Sequence, residues 1–224
     1  AEGSIHTVDV PASTKTLLPL PWSEMAQAGE YVLQFALTHK QNSRWAMAGE
    51  EQYFGEMAFV VEGEKAMPPD GPALRVALGD VNVGAHGKNF GTIYSLQEGG
   101  LVSFCGMDGH ELLSTAPTLS LFRAPTDNDK GWGFERDTAL WQMASLHAKA
   151  GKPTVQQQEN GLRVTYAFTL PMIVGTPITV AYETHPDGSV SVAMQYEGRE
   201  KLPLLPAFGL SFRLPARYGR VAYY

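Results

Sequence analysis

Residues 161–170 read GLRVTYAFTL, and this stretch decides the fold class. Polar or small side chains separate the apolar ones, which recur at every second position: Leu162, Val164, Tyr166, Phe168 and Leu170. Successive side chains of a β-strand point to opposite faces, so this alternation predicts a strand with one buried face. Half-buried strands of this kind are typical of antiparallel sheets.

The neighbouring segments repeat the design. Residues 177–185 (PITVAYETH) and 189–198 (SVSVAMQYEG) alternate in the same way, and the turn-forming PDG between them predicts a hairpin. Upstream, residues 91–113 contain two turn signals, GG and DG, between strand-like runs, which predicts a meander. A last alternation consists of Phe208, Leu210, Phe212 and Leu214.

One segment, residues 137–151 (DTALWQMASLHAKAG), predicts a helix. Asp137 or Thr138 is placed to cap its N terminus, and Gly151 follows its end. At helical spacing, one face carries Leu140, Met143, Ala144 and His147. His147 is interpreted as a packing or surface residue, because no second histidine stands at metal-binding spacing.

Residues 62–73 (EGEKAMPPDGPA) break the strand pattern with Pro-Pro and Asp-Gly and predict a linker. We therefore expect two domains, 1–66 and 67–224. The predicted fold class is all-β with one helix: a partial β-sandwich followed by a large antiparallel β-sandwich.

Composition limits the function classes. The chain has 224 residues, of which 44% are hydrophobic and 18% charged, and a formal net charge of -6. These values are typical of a globular protein and argue against a nucleic-acid partner, which favours a basic surface. The single cysteine, Cys105, excludes an internal disulfide and a thiol-based zinc site. No apolar run approaches the length of about 20 residues that a membrane span needs, so we expect no membrane partner. The N terminus lacks signal-peptide features, so we expect a chain that begins after any signal or inside a longer protein.

Residues 123–133 (RAPTDNDKGWG) concentrate charged and turn-forming residues, and they allow two readings. Asp127 and Asp129 match the first two ligands of a calcium loop, but glycine and tryptophan occupy later positions of that motif. They do not suit a catalytic pair, because a glycosidase needs its two carboxylates on opposite sides of the scissile bond, where different elements usually hold them. We favour a scaffold in which these side chains hydrogen-bond nearby backbone. Trp132 and Trp45 are candidates for sugar stacking or for filling gaps in the packing.

Residues 87–131 resemble the start of the small-chain domain of the large bacterial β-galactosidases, which are family-2 glycoside hydrolases. Three features carry the resemblance: an Asn-Phe strand, a turn before G-x-L, and the motif R-A-P-x-D-N-D-x-G. Residues 123–131 match every fixed position of that motif. LWQMASLHA is similar to the family's tryptophan-containing helix, and LPAFGLSFRLP is similar to its L-P-R-I-G-L strand, with Ala207 in place of the usual arginine. Residues 8–21 and 29–61 look like the second half of the sandwich domain that precedes the small chain.

The resemblance implies an immunoglobulin-like half-sandwich at 1–66 and the first half of a galactose-mutarotase-like small-chain domain at 67–224. In the family, two glutamates on a separate (β/α)8 barrel hydrolyse β-galactosides such as lactose with retention. The resemblance therefore implies no catalytic residue and no metal ligand on this chain. The resemblance further implies a loop toward the active-site mouth, with Gly131 as its hinge, formed by Arg123, Asp127, Asn128, Asp129, Gly131 and Trp132.

For the parent enzyme, the resemblance implies magnesium, a monovalent cation and a homo-oligomer. The partners are then the rest of the enzyme, including its catalytic barrel, and β-galactosides. The alternative is a stand-alone carbohydrate-binding β-sandwich in which Trp132, Tyr94 or Tyr196 stacks on sugar. A structural spacer is the third reading.

Overall fold

The computed structural model describes residues 10–17, 28–63, 71–106 and 108–220. The chain divides into two compact units, Ala1–Ala66 and Met67–Tyr223. Residues 64–70 of the predicted linker lie outside the described residues.

In the smaller unit, β1 (Gly29–Thr38) and β2 (Glu51–Val61) form an antiparallel hairpin. Its register puts all the aromatic side chains of one face in cross-strand pairs, so that Tyr31 stacks on Phe59 and Phe35 lies against Tyr53. The Phe35 ring also covers Gly55, where a Cβ atom would come within 2.5 Å of the ring. A side chain larger than hydrogen at Gly55 would therefore displace the ring.

Among the described residues, the larger unit contains two helices and most of the strands. Its elements in chain order are β3 (Arg75–Leu78), β4 (Asn82–His86), β5 (Gly91–Ser95), β6 (Leu101–Cys105), β7 (Thr115–Ser120), α1 (Asp127–Trp132), α2 (Phe134–His147), β8 (Lys149–Ala150), β9 (Thr154–Gln158), β10 (Gly161–Leu170), β11 (Ile173–Thr184), β12 (Val190–Gln195) and β13 (Gly209–Arg213).

Antiparallel sheets organise this unit, which confirms the predicted mostly-β class. β3, β4, β5 and β6 form a meander in that order. The predicted GG turn joins β5 to β6, whereas the predicted DG turn follows β6, and β3 and β4 lie outside the range of the predicted meander. The second sheet has the order β12-β11-β10-β8, with β9 also paired to β10, and it contains the predicted hairpin of β11 and β12. The turn of that hairpin closes with a left-handed glycine, Gly188, at φ +93°.

Side chains from both sheets form one hydrophobic core. All five apolar side chains that alternate along β10 are buried, as the sequence predicts. Polar links cross between the sheets. The shortest are a 2.6 Å hydrogen bond between the hydroxyls of Tyr94 and Thr184 and a 2.8 Å hydrogen bond that the Tyr166 hydroxyl donates to the Ser95 carbonyl. Burial raises the pKa of Tyr166. The core thus has the organisation of a β-sandwich.

A separate two-stranded sheet pairs β7 with β13. Leu210 of β13 packs against the core, but Phe208, Phe212 and Leu214 are about half exposed. A β-bulge between Ser211 and Arg213 interrupts the alternation that the sequence displays there.

The prediction of one helix is wrong, because the chain also forms α1 where a loop is expected. The predicted caps of the longer helix are wrong as well. α2 begins at Phe134 after Gly133, which has a left-handed φ of +83°, and it ends at His147, before the short strand β8. Asp137 and Thr138 therefore lie inside the first turns rather than at a cap.

The buried face of α2 is rotated by about one residue from the predicted one. Met143 and His147 are exposed, whereas the buried side chains are Phe134, Thr138, Trp141 and Ala144. The indole of Trp141 takes the central position and donates to the Pro203 carbonyl at 3.1 Å. Burial of this large ring stabilises the fold more than burial of the smaller Met143 and the polar His147 would. In the part of the chain that the structure describes, no helix has the length and apolarity needed to cross a membrane.

Candidate functional site

An ion pair between Arg123 and Asp129 anchors the charged stretch at 123–133. Arg123 Nη1 lies 2.6 Å from Asp129 Oδ2 and Nη2 lies 3.2 Å from Oδ1, so the pair is bidentate. The Asp129 residue is only 7% exposed, while the Arg123 side chain is 45% exposed. Two parallel charge-assisted bonds fix both the distance and the orientation of the partners.

A capping box starts α1 at the same carboxylate. The Thr126 hydroxyl accepts from the Asp129 N–H, and Asp129 Oδ2 accepts from the Thr126 N–H at 2.7 Å. The spacing Thr-x-x-Asp before a helix is a variant of the Ser/Thr-x-x-Glu box, and it is the signal from which this helix could have been predicted. The sequence reading, which favoured local backbone hydrogen bonds, was right for Asp129 but missed Thr126.

The electrostatics keep Asp129 charged. The hydrogen bond from the Arg123 side chain, followed by that from the Thr126 N–H, holds the pKa of Asp129 far below its usual range, and the pair raises the pKa of Arg123. A general acid needs a pKa near the working pH. Asp129 is thus an anchoring group and not a proton donor at neutral pH.

Asp127 plays a different part from Asp129. Its side chain is 98% exposed, and its contact is an ion pair of 3.2 Å with Lys130 on the next turn. The expectation that Asp127 also holds the turn is therefore wrong, since no buried donor depends on it. Asn128 is likewise exposed.

The hinge expected at Gly131 is also displaced. Gly131 lies inside α1 and is not among the glycines with positive φ. Gly133 carries the left-handed backbone instead, and this one residue ends α1 and begins α2. The break between the two helices therefore lies two residues later than the sequence indicated.

Trp132 ends α1 and belongs to an aromatic cluster. It is 50% exposed and meets Phe134 edge to face, at 5.5 Å between ring centroids and 89° between planes. Phe134 is 1% exposed; Phe122 lies 5.5 Å from it, and the Arg123 guanidinium lies 4.7 Å from its centroid. The cation–π contact and the ion pair thus hold the same arginine from two sides.

Glu111 forms a second polar cluster that the sequence reading did not identify. Its carboxylate accepts hydrogen bonds from the Ser103 hydroxyl at 2.6 Å and from the Phe104 N–H at 2.7 Å, and longer ones from the Leu113 N–H and the Cys105 thiol. Burial on its own raises the pKa of Glu111, but these hydrogen bonds outweigh it and the net pKa is lowered. The cluster ties β6 to the segment before β7.

A third group lies on the hairpin of β11 and β12. His185 Nε2 and the Ser191 hydroxyl are 2.8 Å apart, whereas His185 Nδ1 is 4.0 Å from the nearest oxygen of Glu183. The second distance is too long for a hydrogen bond, so these three side chains do not form a serine–histidine–acid relay.

The tyrosines proposed as sugar platforms are not available for stacking. Tyr94 is fully buried, and its hydroxyl is bonded to Thr184. Tyr196 is partly buried between Trp141 and Phe208. This part of the carbohydrate-module reading is wrong, and of its three candidate rings the structure exposes Trp132. Trp45 in the smaller unit is 70% exposed and contacts His39 edge to face.

Metal ligands were not expected on this chain. Within residues 10–17, 28–63, 71–106 and 108–220, no group of three His, Cys, Asp or Glu side chains is placed to hold a metal ion.

Comparison with known sequences gives a consistent set of relatives. A family profile described as "Beta galactosidase small chain" matches residues 86–224. A β-galactosidase of Halalkalibacterium halodurans is 35% identical over 97% of this chain and 22% of its own length. One of Streptococcus thermophilus is 31% identical over 100% of this chain and 21% of its own length. A "Beta-galactosidase small subunit" of Latilactobacillus sakei is 30% identical over 67% of this chain and 53% of its own length. The chain thus spans about a fifth of the first two relatives.

Proposed function

Because the chain belongs to the small-chain family of bacterial β-galactosidases, we propose that it is a non-catalytic part of such an enzyme and supports an active site located elsewhere in it. The complete enzyme hydrolyses terminal β-galactosides such as lactose with retention of configuration, using two glutamates on a catalytic barrel. The observation that carries the proposal is a similarity that covers 97% of this chain but 22% of the relative.

The state of two acidic residues in unit Met67–Tyr223, Asp129 and Glu111, supports a scaffold role. A retaining glycosidase needs two carboxyl groups about 5–5.5 Å apart, one of which has a raised pKa. Asp129 and Glu111 both have lowered pKa values, and hydrogen bonds occupy both carboxylates. Asp129 holds the first turn of α1, and Glu111 ties β6 to the segment before β7, so both carboxylates have structural uses.

The segment 123–132 is proposed to lie at the mouth of the active site. Arg123 and Asp129 form its anchor, with both charges compensated, and Gly131 lies in the helix that this anchor starts. Asp127, Asn128 and Trp132 form its exposed part. An anchored segment with exposed polar and aromatic side chains is suited to placing groups against a substrate held by another domain.

Magnesium, a monovalent cation and a homo-oligomeric assembly are proposed for the complete enzyme. The relative named as a small subunit supports assembly with a separate catalytic chain in some members of the family.

The test compares the chain with the complete enzyme that contains it. The purified chain should release no product from a chromogenic galactoside, with or without magnesium, while the complete enzyme turns it over. Protein prepared from a host without its own β-galactosidase provides the control. Turnover by the isolated chain in that preparation would refute the non-catalytic role.

A binding assay separates this proposal from the carbohydrate module. Galactose and lactose are titrated into the isolated chain by calorimetry. A stand-alone module should saturate with a Kd of about 1 mM or tighter, which corresponds to about -4 kcal/mol. Saturation in that range would favour the module instead.

A further inference from the structure

The Tyr182 hydroxyl is a polar group deep inside the core of the larger unit. Tyr182 is 1% exposed, and its ring packs against the rings of Tyr94 and Tyr166. Both of these neighbours hydrogen-bond through their hydroxyls. Among the residues that the structure describes, however, the Tyr182 hydroxyl has no hydrogen-bond partner. A buried hydroxyl without a hydrogen bond destabilises a fold, so a partner for this group would stabilise the core.

A space beside Gly100 lies within reach of this hydroxyl. Gly100 is buried and has a left-handed φ of +99°. A Cβ atom built on Gly100 would lie 3.7 Å from the Tyr182 hydroxyl oxygen and 3.6 Å from the Pro117 carbonyl oxygen. Apart from the two chain neighbours of Gly100, no other heavy atom of the described residues comes within 4 Å of that point. Glycine thus leaves room at a place that two oxygen atoms border.

The chemistry of these two oxygens selects the occupant. The Pro117 carbonyl can only accept, so the occupant must donate a hydrogen bond to it. Burial raises the pKa of Tyr182, so its hydroxyl stays protonated and can both donate and accept. A buried water needs two to four polar partners and about the volume of one small probe sphere. Water meets both conditions, whereas an apolar group would leave the two oxygens unpaired.

We propose that the space beside Gly100 is a binding site for one internal water molecule, which donates a hydrogen bond to the Pro117 carbonyl and pairs with the Tyr182 hydroxyl. Pro117 belongs to β7, Tyr182 to β11, and Gly100 to the turn before β6. The water therefore connects the sheet of β7 and β13 to the sheet that contains β11. Gly100 serves this site as well as the turn, because a side chain at this position would fill the space.

Crystal structures of the complete enzyme that contains this chain test the site directly, at a resolution that shows ordered waters. The wild type should contain one water within about 2.6–3.2 Å of both the Tyr182 hydroxyl and the Pro117 carbonyl oxygen. Tyr182→Phe should lose this water or bind it without its second partner. Tyr94→Phe, the same change on a neighbouring ring, should keep it. A wild-type structure without the water, or with a protein side chain in its place, would overturn the proposal.

Hydrogen exchange of the β7 and β11 amides in the same proteins gives a readout whose sign decides. If the water is present, Tyr182→Phe removes a hydrogen bond, and exchange should become about three- to tenfold faster, because exchange follows the local opening equilibrium. If the hydroxyl is unpaired, the same substitution removes a destabilising group and exchange should become slower. Tyr94→Phe, which loses the bond to Thr184, shows the effect of one lost buried hydrogen bond. Unchanged or slower exchange in Tyr182→Phe would refute the water site.

Discussion

Replacing Glu111 by alanine should destabilise the larger unit more than any change at an exposed acid. The substitution removes the acceptor of the Ser103 hydroxyl and of the Phe104 and Leu113 N–H groups. The two shortest bonds, 2.6 and 2.7 Å, end on a charged oxygen. Hydrogen bonds to charged groups contribute about 1.5–3 kcal/mol each, and a buried donor left without a partner costs about 1–3 kcal/mol.

Because Glu111 is only partly buried, water replaces part of what is lost. We therefore expect a loss of about 2–4 kcal/mol in the free energy of unfolding. In a domain of this size each kcal/mol lowers Tm by about 2–4 °C, so Tm should fall by about 5–15 °C. Glu111→Gln keeps one acceptor oxygen and should lose about 1 kcal/mol.

Calorimetric melts of wild type, Glu111→Ala, Glu111→Gln and the exposed control Glu98→Ala test this expectation. The pH dependence adds a second signature. The lowered pKa of Glu111 means that its stabilising effect is present above its unfolded pKa of about 4.5 and is lost as pH falls through the folded value. The difference between wild type and Glu111→Gln should therefore be constant at neutral pH and should shrink in acid below about pH 4.5. A Tm for Glu111→Ala equal to that of Glu98→Ala would refute the reasoning.

Three further expectations follow from the site and the core. Asp129→Ala should lower Tm clearly while Asp127→Ala leaves it unchanged, as measured by thermal melts; equal effects would contradict the assignment of the anchor to one aspartate. Gly133→Ala should lower the free energy of unfolding by about 1–2 kcal/mol because of the left-handed φ of Gly133, whereas Gly131→Ala, at an open helical position, should raise it by about 0.5–1 kcal/mol. Urea unfolding should show these opposite signs, and changes of the same sign would contradict the position of the helix break. Tyr166→Phe should cost about 1–2 kcal/mol by leaving the Ser95 carbonyl without its donor, and an unchanged urea midpoint would count against this link.

Local patterns predicted the sheets well because strand alternation and turn chemistry are written in neighbouring residues. The strand at 161–170, the hairpin that follows it and the GG turn between β5 and β6 are predicted from such signals and are present in the structure. These elements share one physical cause, the burial of every second side chain.

The errors arise where tertiary contacts decide. The rotation of α2 depends on Trp141 reaching the Pro203 carbonyl, 62 residues away, which helical spacing cannot indicate. Likewise, a bidentate bond from Arg123 to Asp129 turned an expected loop into a helical turn. The contribution of Glu111 depends on donors from β6 that its own sequence neighbours do not reveal.

The pairing of β7 with β13 has a consequence for the order of folding. Thr118 and Ser211, which this pairing brings together, are 93 positions apart in the chain. The hairpins and the meander close loops of a few residues, whereas this contact closes a loop of about 90 at a larger entropic cost. Until it forms, β7 offers an unsatisfied backbone edge to other chains. Refolding yield should therefore fall as protein concentration rises, because chains associate through β7 before β13 pairs with it.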